Sequence, residues 1–213
     1  MHKHTRTFHL FLAVLYMLCI ISVSVTFVLN FRSLYYFDIG HLNISETSGY
    51  PEEEIRENYD ALIDYNSVFN TDDLVFPTLP MSENGHTHFV EVKRIFVFVQ
   101  CLAVVTLLLC IILTVREVKQ KRFSFLKYAG ILTIAVPAIL GILIAVNWDA
   151  FFVGFHHLFF NNDYWIFDAA TDPVILLLPD TFFMHAAILI LVCVVLASVI
   201  CFAVGHRLQR KSN

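Results

Sequence analysis

The run IFVFVQCLAVVTLLLCIILTV, Ile95–Val115, contains no Asp, Glu, Lys or Arg. A hydrocarbon core about 30 Å thick needs roughly 20 apolar residues in a helix to cross it. Three other runs match it in length and in lack of charge: Phe8–Leu29, Tyr128–Asn147 and Phe182–Gly205. Lipid offers no partner to backbone N–H and C=O groups, so runs of this kind are helical. Of the 213 residues, 58% are hydrophobic and 15% charged, well above the roughly 45–50% apolar share of a soluble domain. The reading is an all-α membrane protein. One integral domain over 1–213 has four transmembrane helices, about 8–29, 95–115, 128–147 and 182–205, and two outer loops, 30–94 and 148–181.

Lys and Arg set the orientation. Lys3 and Arg6 precede the first span. Arg116, Lys119, Lys121, Arg122 and Lys127 join the second to the third, and Arg207, Arg210 and Lys211 follow the fourth. These segments share one face of an alternating four-helix chain, and the positive-inside rule makes that face cytoplasmic. Both termini are then cytoplasmic. The loops 30–94 and 148–181 are extracytoplasmic, and 148–181 has no basic residue at all. The formal charge of −4 averages a basic face with an acidic one, and no basic patch points to nucleic acid. The first span has no A-x-A site after it and reads as an uncleaved helix rather than a signal peptide. All five cysteines (Cys19, Cys101, Cys110, Cys193, Cys201) lie within the spans, so no disulfide framework is expected.

The loops predict short interfacial helices. Pro51 and Glu52–Glu54 suit a first turn, and Ile55, Tyr59, Leu62 and Ile63 recur on one helical face. Acid on the other face favours packing against protein over binding anionic lipid. Asn43-Ile44-Ser45 fits a glycosylation sequon, a short pattern of little weight. Gly130, Pro137 and Gly141 predict a kink or break in the third span. Ala186, Ala187, Ala197 and Ser198 suit close packing of the fourth.

The densest chemistry lies in Phe155–Phe183, FHHLFFNNDYWIFDAATDPVILLLPDTFF. His156 and His157 are adjacent there, and His86 and His88 precede the second span. Titratable groups beside a bilayer are costly unless something uses them. On a helix, i and i+1 diverge by about 100° and i, i+2 point to nearly opposite faces, so one histidine of each pair is expected to converge. Three uses compete. Zinc would need more ligands than that, and no established zinc pattern is present. Two histidines can exchange protons without a metal, since imidazole titrates near neutrality. Alternatively they merely pack. Tyr164 and Trp165 read as an interfacial aromatic belt. No G-x-S-x-G elbow exists, so the nucleophile is expected to come from the substrate.

Several motifs resemble those of the lipoprotein intramolecular transacylase (Lit) family of low-GC Gram-positive bacteria. They are Asn58-Tyr59-Asp60-Ala61-Leu62-Ile63-Asp64-Tyr65, His88-x-x-Glu91-Val92-Lys93, and Phe155-His156 through Trp165 and Asp172 to Leu178-Pro179 and Phe182-Phe183. The family pattern has Asp before Val-Lys, where this chain has Glu91. The resemblance covers essentially the whole chain. It implies an acyltransferase of the bacterial cell membrane, multi-pass, with its active site on the extracytoplasmic side. The implied substrates are diacylglyceryl lipoproteins, held in membrane lipid. The sn-2 acyl chain would move to the α-amino group of the N-terminal cysteine, giving a lyso-form lipoprotein without cofactor or metal. His156 is the implied base, with His157 as the alternative, and His88 the implied proton donor or oxyanion stabiliser. Glu91 would orient His88, and Asn162 and Tyr164 would donate to the oxyanion. Asp172 and Asp180 would hold the loop, and the third and fourth spans would offer grooves for acyl chains. The competing readings are a zinc-dependent membrane hydrolase and a non-enzymatic assembly or sensor subunit.

Overall fold

The structure is a computed structural model describing Lys3–Ser212. In chain order the helices are α1 (Lys3–Asn30), α2 (Arg32–His41), α3 (Ile44–Ser48), α4 (Glu52–Tyr65), α5 (Glu83–Lys119), α6 (Ser124–Val146), α7 (Trp148–Phe159), α8 (Val174–Leu177) and α9 (Asp180–Ser212). Among the described residues there is no strand. Four helices are long and apolar enough to cross a membrane, over Thr5–Asn30, Glu83–Lys119, Ser124–Val146 and Asp180–Lys211. This is the expected all-α membrane protein.

Three local expectations change. The second apolar run is the middle of a longer helix, because α5 begins at Glu83 and carries part of the expected loop, including His88 and Glu91. Second, of the kink or break expected in the third span, there is no break: α6 runs as one helix through Pro137. Neighbouring groups re-satisfy a proline's freed carbonyl within a membrane helix. Third, α2 and α3 join α4 within the first loop. They are short and lack clear amphipathic periodicity, so pattern alone does not reveal them.

The chain forms two compact units. The first comprises Met1–Thr26, Val99–Leu143 and Ile188–Asn213. Leu12, Leu15 and Cys19 of α1 pack there with Cys110 of α5 and Phe125 and Leu126 of α6. Two glycines permit close helix approach. A Cβ on Gly130 would meet the Ser198 carbonyl at 2.7 Å, and one on Gly205 would meet Leu126 Cβ at 2.7 Å. Small residues serve this purpose where apolar burial supplies no net drive between membrane helices. His9 is buried at the start of this unit, with Nε2 2.8 Å from Glu117 Oε2 and Nδ1 2.6 Å from Ser124 Oγ. Ile134, Pro137 and Ala138 of α6 and Leu191, Val192 and Val195 of α9 line an apolar groove.

The second unit comprises Phe27–Phe98 and Ile144–Ala187. The apolar face of α4 packs inward as its periodicity requires: Ile55, Tyr59, Leu62 and Ile63 join Tyr35, Ile39, Phe76, Phe89, Leu177 and Phe182 in one core. Tyr35 stacks on Tyr59 at 3.8 Å and donates its hydroxyl to the Leu177 carbonyl at 2.7 Å. The polar residues of the Asn58–Tyr65 motif are structural ties. Asn58 donates to Thr78 Oγ1 at 2.8 Å, and Asp60 accepts from Tyr36 Oη and pairs with Arg32. Asp38, fully buried, accepts from His185 Nδ1 at 2.9 Å. Burying an unpaired charge is costly, so this partner is required.

Candidate active site

The site lies wholly within the second unit. Its first wall is the start of α5. Ser82 caps this helix, its Oγ accepting the Gly85 N–H at 3.0 Å. Asp172 arrives from far along the chain, and its Oδ1 accepts the Ser82 N–H at 2.7 Å while Oδ2 accepts from Thr171 Oγ1 at 2.8 Å. A buried carboxylate at a helix N-terminus also meets the positive end of the helix dipole. Gly85 leaves the space, because a Cβ there would collide with Asp172 Oδ1. Asp172 therefore pins the loop after α7 to the helix that carries His88, the holding role expected for it.

The second wall is α7 and that loop. Asn147 caps α7, with Oδ1 accepting the Ala150 N–H at 2.9 Å. None of the residues of α7 is fully buried. Its last turn presents His156 to the site and leaves His157 exposed. The His156 ring lies 6.1 Å from the His88 ring, centroid to centroid. One histidine of each pair thus converges. His86, two residues from His88, pairs instead with Asp73 at 2.6 Å, and that bond holds the Asp73 carboxyl below the usual range. With the pairs split this way, no three His, Cys, Asp or Glu side chains gather to hold a metal ion among the described residues.

Aromatic rings enclose the pair. His88 meets Phe160 edge-on at 4.8 Å and Phe167 at 5.6 Å. His156 stacks on Trp165 at 4.5 Å and touches Phe152 at 4.3 Å. Trp165, read from sequence as a belt residue, is thus a wall of the site. Its Nε1–H is buried and unpartnered, as is Nδ1 of His88, which is 6% exposed. Each such group costs about 1–3 kcal/mol while unpaired. Unpartnered polar groups in an otherwise apolar pocket are places where water or a ligand's polar atoms bind.

The tautomer of His156 follows from its bonds. Nδ1 donates to the Phe152 carbonyl at 2.8 Å, so the neutral ring carries its lone pair on Nε2. Burial lowers the pKa of His156 from its ordinary value; the Phe152 carbonyl opposes this and the neighbouring His157 adds to it. A neutral imidazole with a free nitrogen is a ready proton acceptor.

Glu91 and Asn162 come together across the chain. Asn162 Nδ2 donates to Glu91 Oε1 at 3.0 Å and Oε2 at 3.2 Å, and Asn162 Oδ1 accepts the Tyr164 N–H at 3.1 Å. The expected orienting bond from Glu91 to His88 gives way to this contact, since His88 Nδ1 has no partner. The amide donor expected of Asn162 is spent on Glu91, and the Tyr164 side chain is 39% exposed.

A family model described as lipoprotein intramolecular transacylase Lit matches residues 10–183. The chain belongs to the Lit family. The solved structure of the membrane integral lipoprotein intramolecular transacylase Lit from Bacillus cereus is 40% identical to it. That match covers 99% of this chain and 98% of that one, with a TM-score of 0.95. Two structures of the Bacillus cereus Lit protein with one histidine replaced also match. The arginine variant is 39% identical, with a TM-score of 0.86 over 98% of this chain and 93% of that one. The alanine variant is 40% identical, with a TM-score of 0.87 over 97% and 94%. No curated protein sequence matches the chain. Family and fold together make this a multi-pass membrane transacylase.

Proposed function

We propose that this Lit-family enzyme moves the sn-2 acyl chain of a diacylglyceryl lipoprotein to the α-amino group of the same molecule's N-terminal cysteine. The observation that carries this reading is the convergence of two histidines, 6.1 Å apart, in an aromatic pocket. One of them has its Nδ1–H committed to backbone and its Nε2 free. The α-ammonium, with an unperturbed pKa of about 7.7–8.0, first releases one proton to solvent; the neutral amine then attacks the sn-2 carbonyl and forms the C–N bond. His156 Nε2 takes the proton that the nitrogen sheds. Trp165 Nε1–H donates to the developing oxyanion, in place of Asn162 or Tyr164. His88 gives a proton to the glycerol oxygen as the C–O bond breaks, and a proton passing from His156 to His88 resets the pair. Amine and ester belong to one bound molecule, which removes the entropic cost of bringing them together. The pocket faces the extracytoplasmic side, both termini being cytoplasmic as Lys and Arg dictate. The lyso-form product keeps one O-linked and one N-linked chain.

The test is mass spectrometry of a lipoprotein's N-terminal peptide from a host lacking other N-acylating enzymes. The host expresses wild type, His88→Ala or His156→Ala. Wild type is expected to move one acyl chain from glycerol to nitrogen at unchanged mass, and both variants to leave the amine free. A diacylglyceryl peptide with a free amine in wild type overturns the reading. Transfer by either variant overturns that histidine's role.

A further inference from the structure

Glu91 stands three residues after His88 on α5. Helical side chains three apart lie about 5–6 Å from each other at Cβ. Among the described residues its half-buried carboxylate is held by a neutral amide alone, Asn162 Nδ2, at 3.0 and 3.2 Å. A carboxylate offers about four lone-pair positions, and one NH2 group, with two N–H donors, cannot fill them. No Lys, Arg or His comes within ion-pair distance of it among the described residues. One cation close in sequence is turned elsewhere. Lys93 sits over the Tyr65 ring at 4.0 Å and reaches the Asp72 carbonyl at 3.4 Å. Asn162 is fixed in turn by the Tyr164 N–H, so the carboxylate is held in place with its charge uncompensated. Beside it His88, more than nine-tenths buried, keeps an unpartnered Nδ1.

A positioned, partly desolvated carboxylate without a counter-ion is complementary to a cation that brings its own hydrogen-bond donors. We propose that Glu91 binds the α-ammonium group of the substrate's N-terminal cysteine and sets it beside the histidine pair. The assignment rests on the transacylase reading. It also accounts for product release. Acylation turns a charged amine with three N–H groups into a neutral amide with one, so Glu91 loses its ligand when the chain is transferred.

The experiment uses two unreactive analogues of a diacylglyceryl-cysteine peptide, ether-linked at both glycerol positions. One has a free α-amine and the other is N-acetylated. Binding of each to the purified full chain in lipid nanodiscs is measured for wild type, Glu91→Gln and Glu91→Asp. Wild type is expected to prefer the free amine by about tenfold. Glu91→Gln should bind both alike, with unchanged affinity for the N-acetyl form, and Glu91→Asp should recover part of the preference. Wild type binding both analogues equally overturns the ammonium site and leaves the transacylase reading standing. An equal loss for both analogues in Glu91→Gln makes Glu91 a purely structural residue and also overturns it. Binding of neither analogue by wild type overturns both.

Discussion

His156 is decided by its surroundings rather than by its identity. An exposed imidazole titrates near 6.5. Burial lowers the His156 value, so the ring stays neutral at a pH where an ordinary histidine has taken up a proton. A base must be neutral, so in kcat/KM proton uptake by His156 is expected below pH of about 6.5, beneath the limb that the substrate amine sets at about 7.7–8.0. The unfolded chain binds this proton more readily. Folding stability from His156 is accordingly present above the ordinary value and lost as pH falls below it. Trp165→Phe tests the other partner in the same pH–rate measurement. It keeps a ring against His156 but removes Nε1–H. The limb should stay where it is while kcat falls about 100-fold with little change in KM. A profile with no second proton uptake below that of the substrate amine would exclude His156 as the base.

At the scale of the element, the start of α5 is a joint between distant pieces of chain. Ser82 caps the helix locally, and Asp172 caps it from ninety residues away in sequence. Gly85 is needed there because Asp172 and Phe167 occupy the room a side chain would take. Gly85→Ala is expected to displace Asp172 and cost about 1–3 kcal/mol. It should lower thermal stability and, by shifting the loop that carries Trp165 and Phe167, reduce transfer activity. Wild-type melting and activity in Gly85→Ala would show that the anchor is dispensable. The motif Asn58–Tyr65 works at this scale too. Its alternation of buried and bonded residues ties α4 to α2 and to the segment before α5, which accounts for its composition without assigning it any chemistry.

At the scale of the whole molecule, each unit buries a carboxylate against a histidine. In the site-bearing unit Asp38 meets His185, and in the first unit His9 and Glu117, each 1% exposed, close on one another while His9 also reaches Ser124. Removing one member of a buried pair strands the other, at about 3–5 kcal/mol, whereas replacing both with apolar residues is often neutral. Glu117→Leu is therefore expected to lower the melting temperature in detergent sharply, and His9→Leu with Glu117→Leu to restore much of it. Additive losses in the double variant would show that the two residues are not coupled.

The sequence by itself determined the spans, since length and lack of charge in an apolar run are local properties that lipid reads directly. It also determined the helical face of α4 and the presence of histidine pairs beside the second and third spans. Tertiary structure decided which histidines meet. The phase of α5 turns His88 inward and His86 toward Asp73, and the last turn of α7 turns His156 inward and leaves His157 exposed. It also gave Glu91 to Asn162 rather than His88, and set Trp165 against His156. Those contacts join segments up to 71 residues apart. Helical periodicity fixes which residues share a face but not what the face meets, and that depends on packing around the core of Tyr35, Tyr59, Phe89 and Phe182.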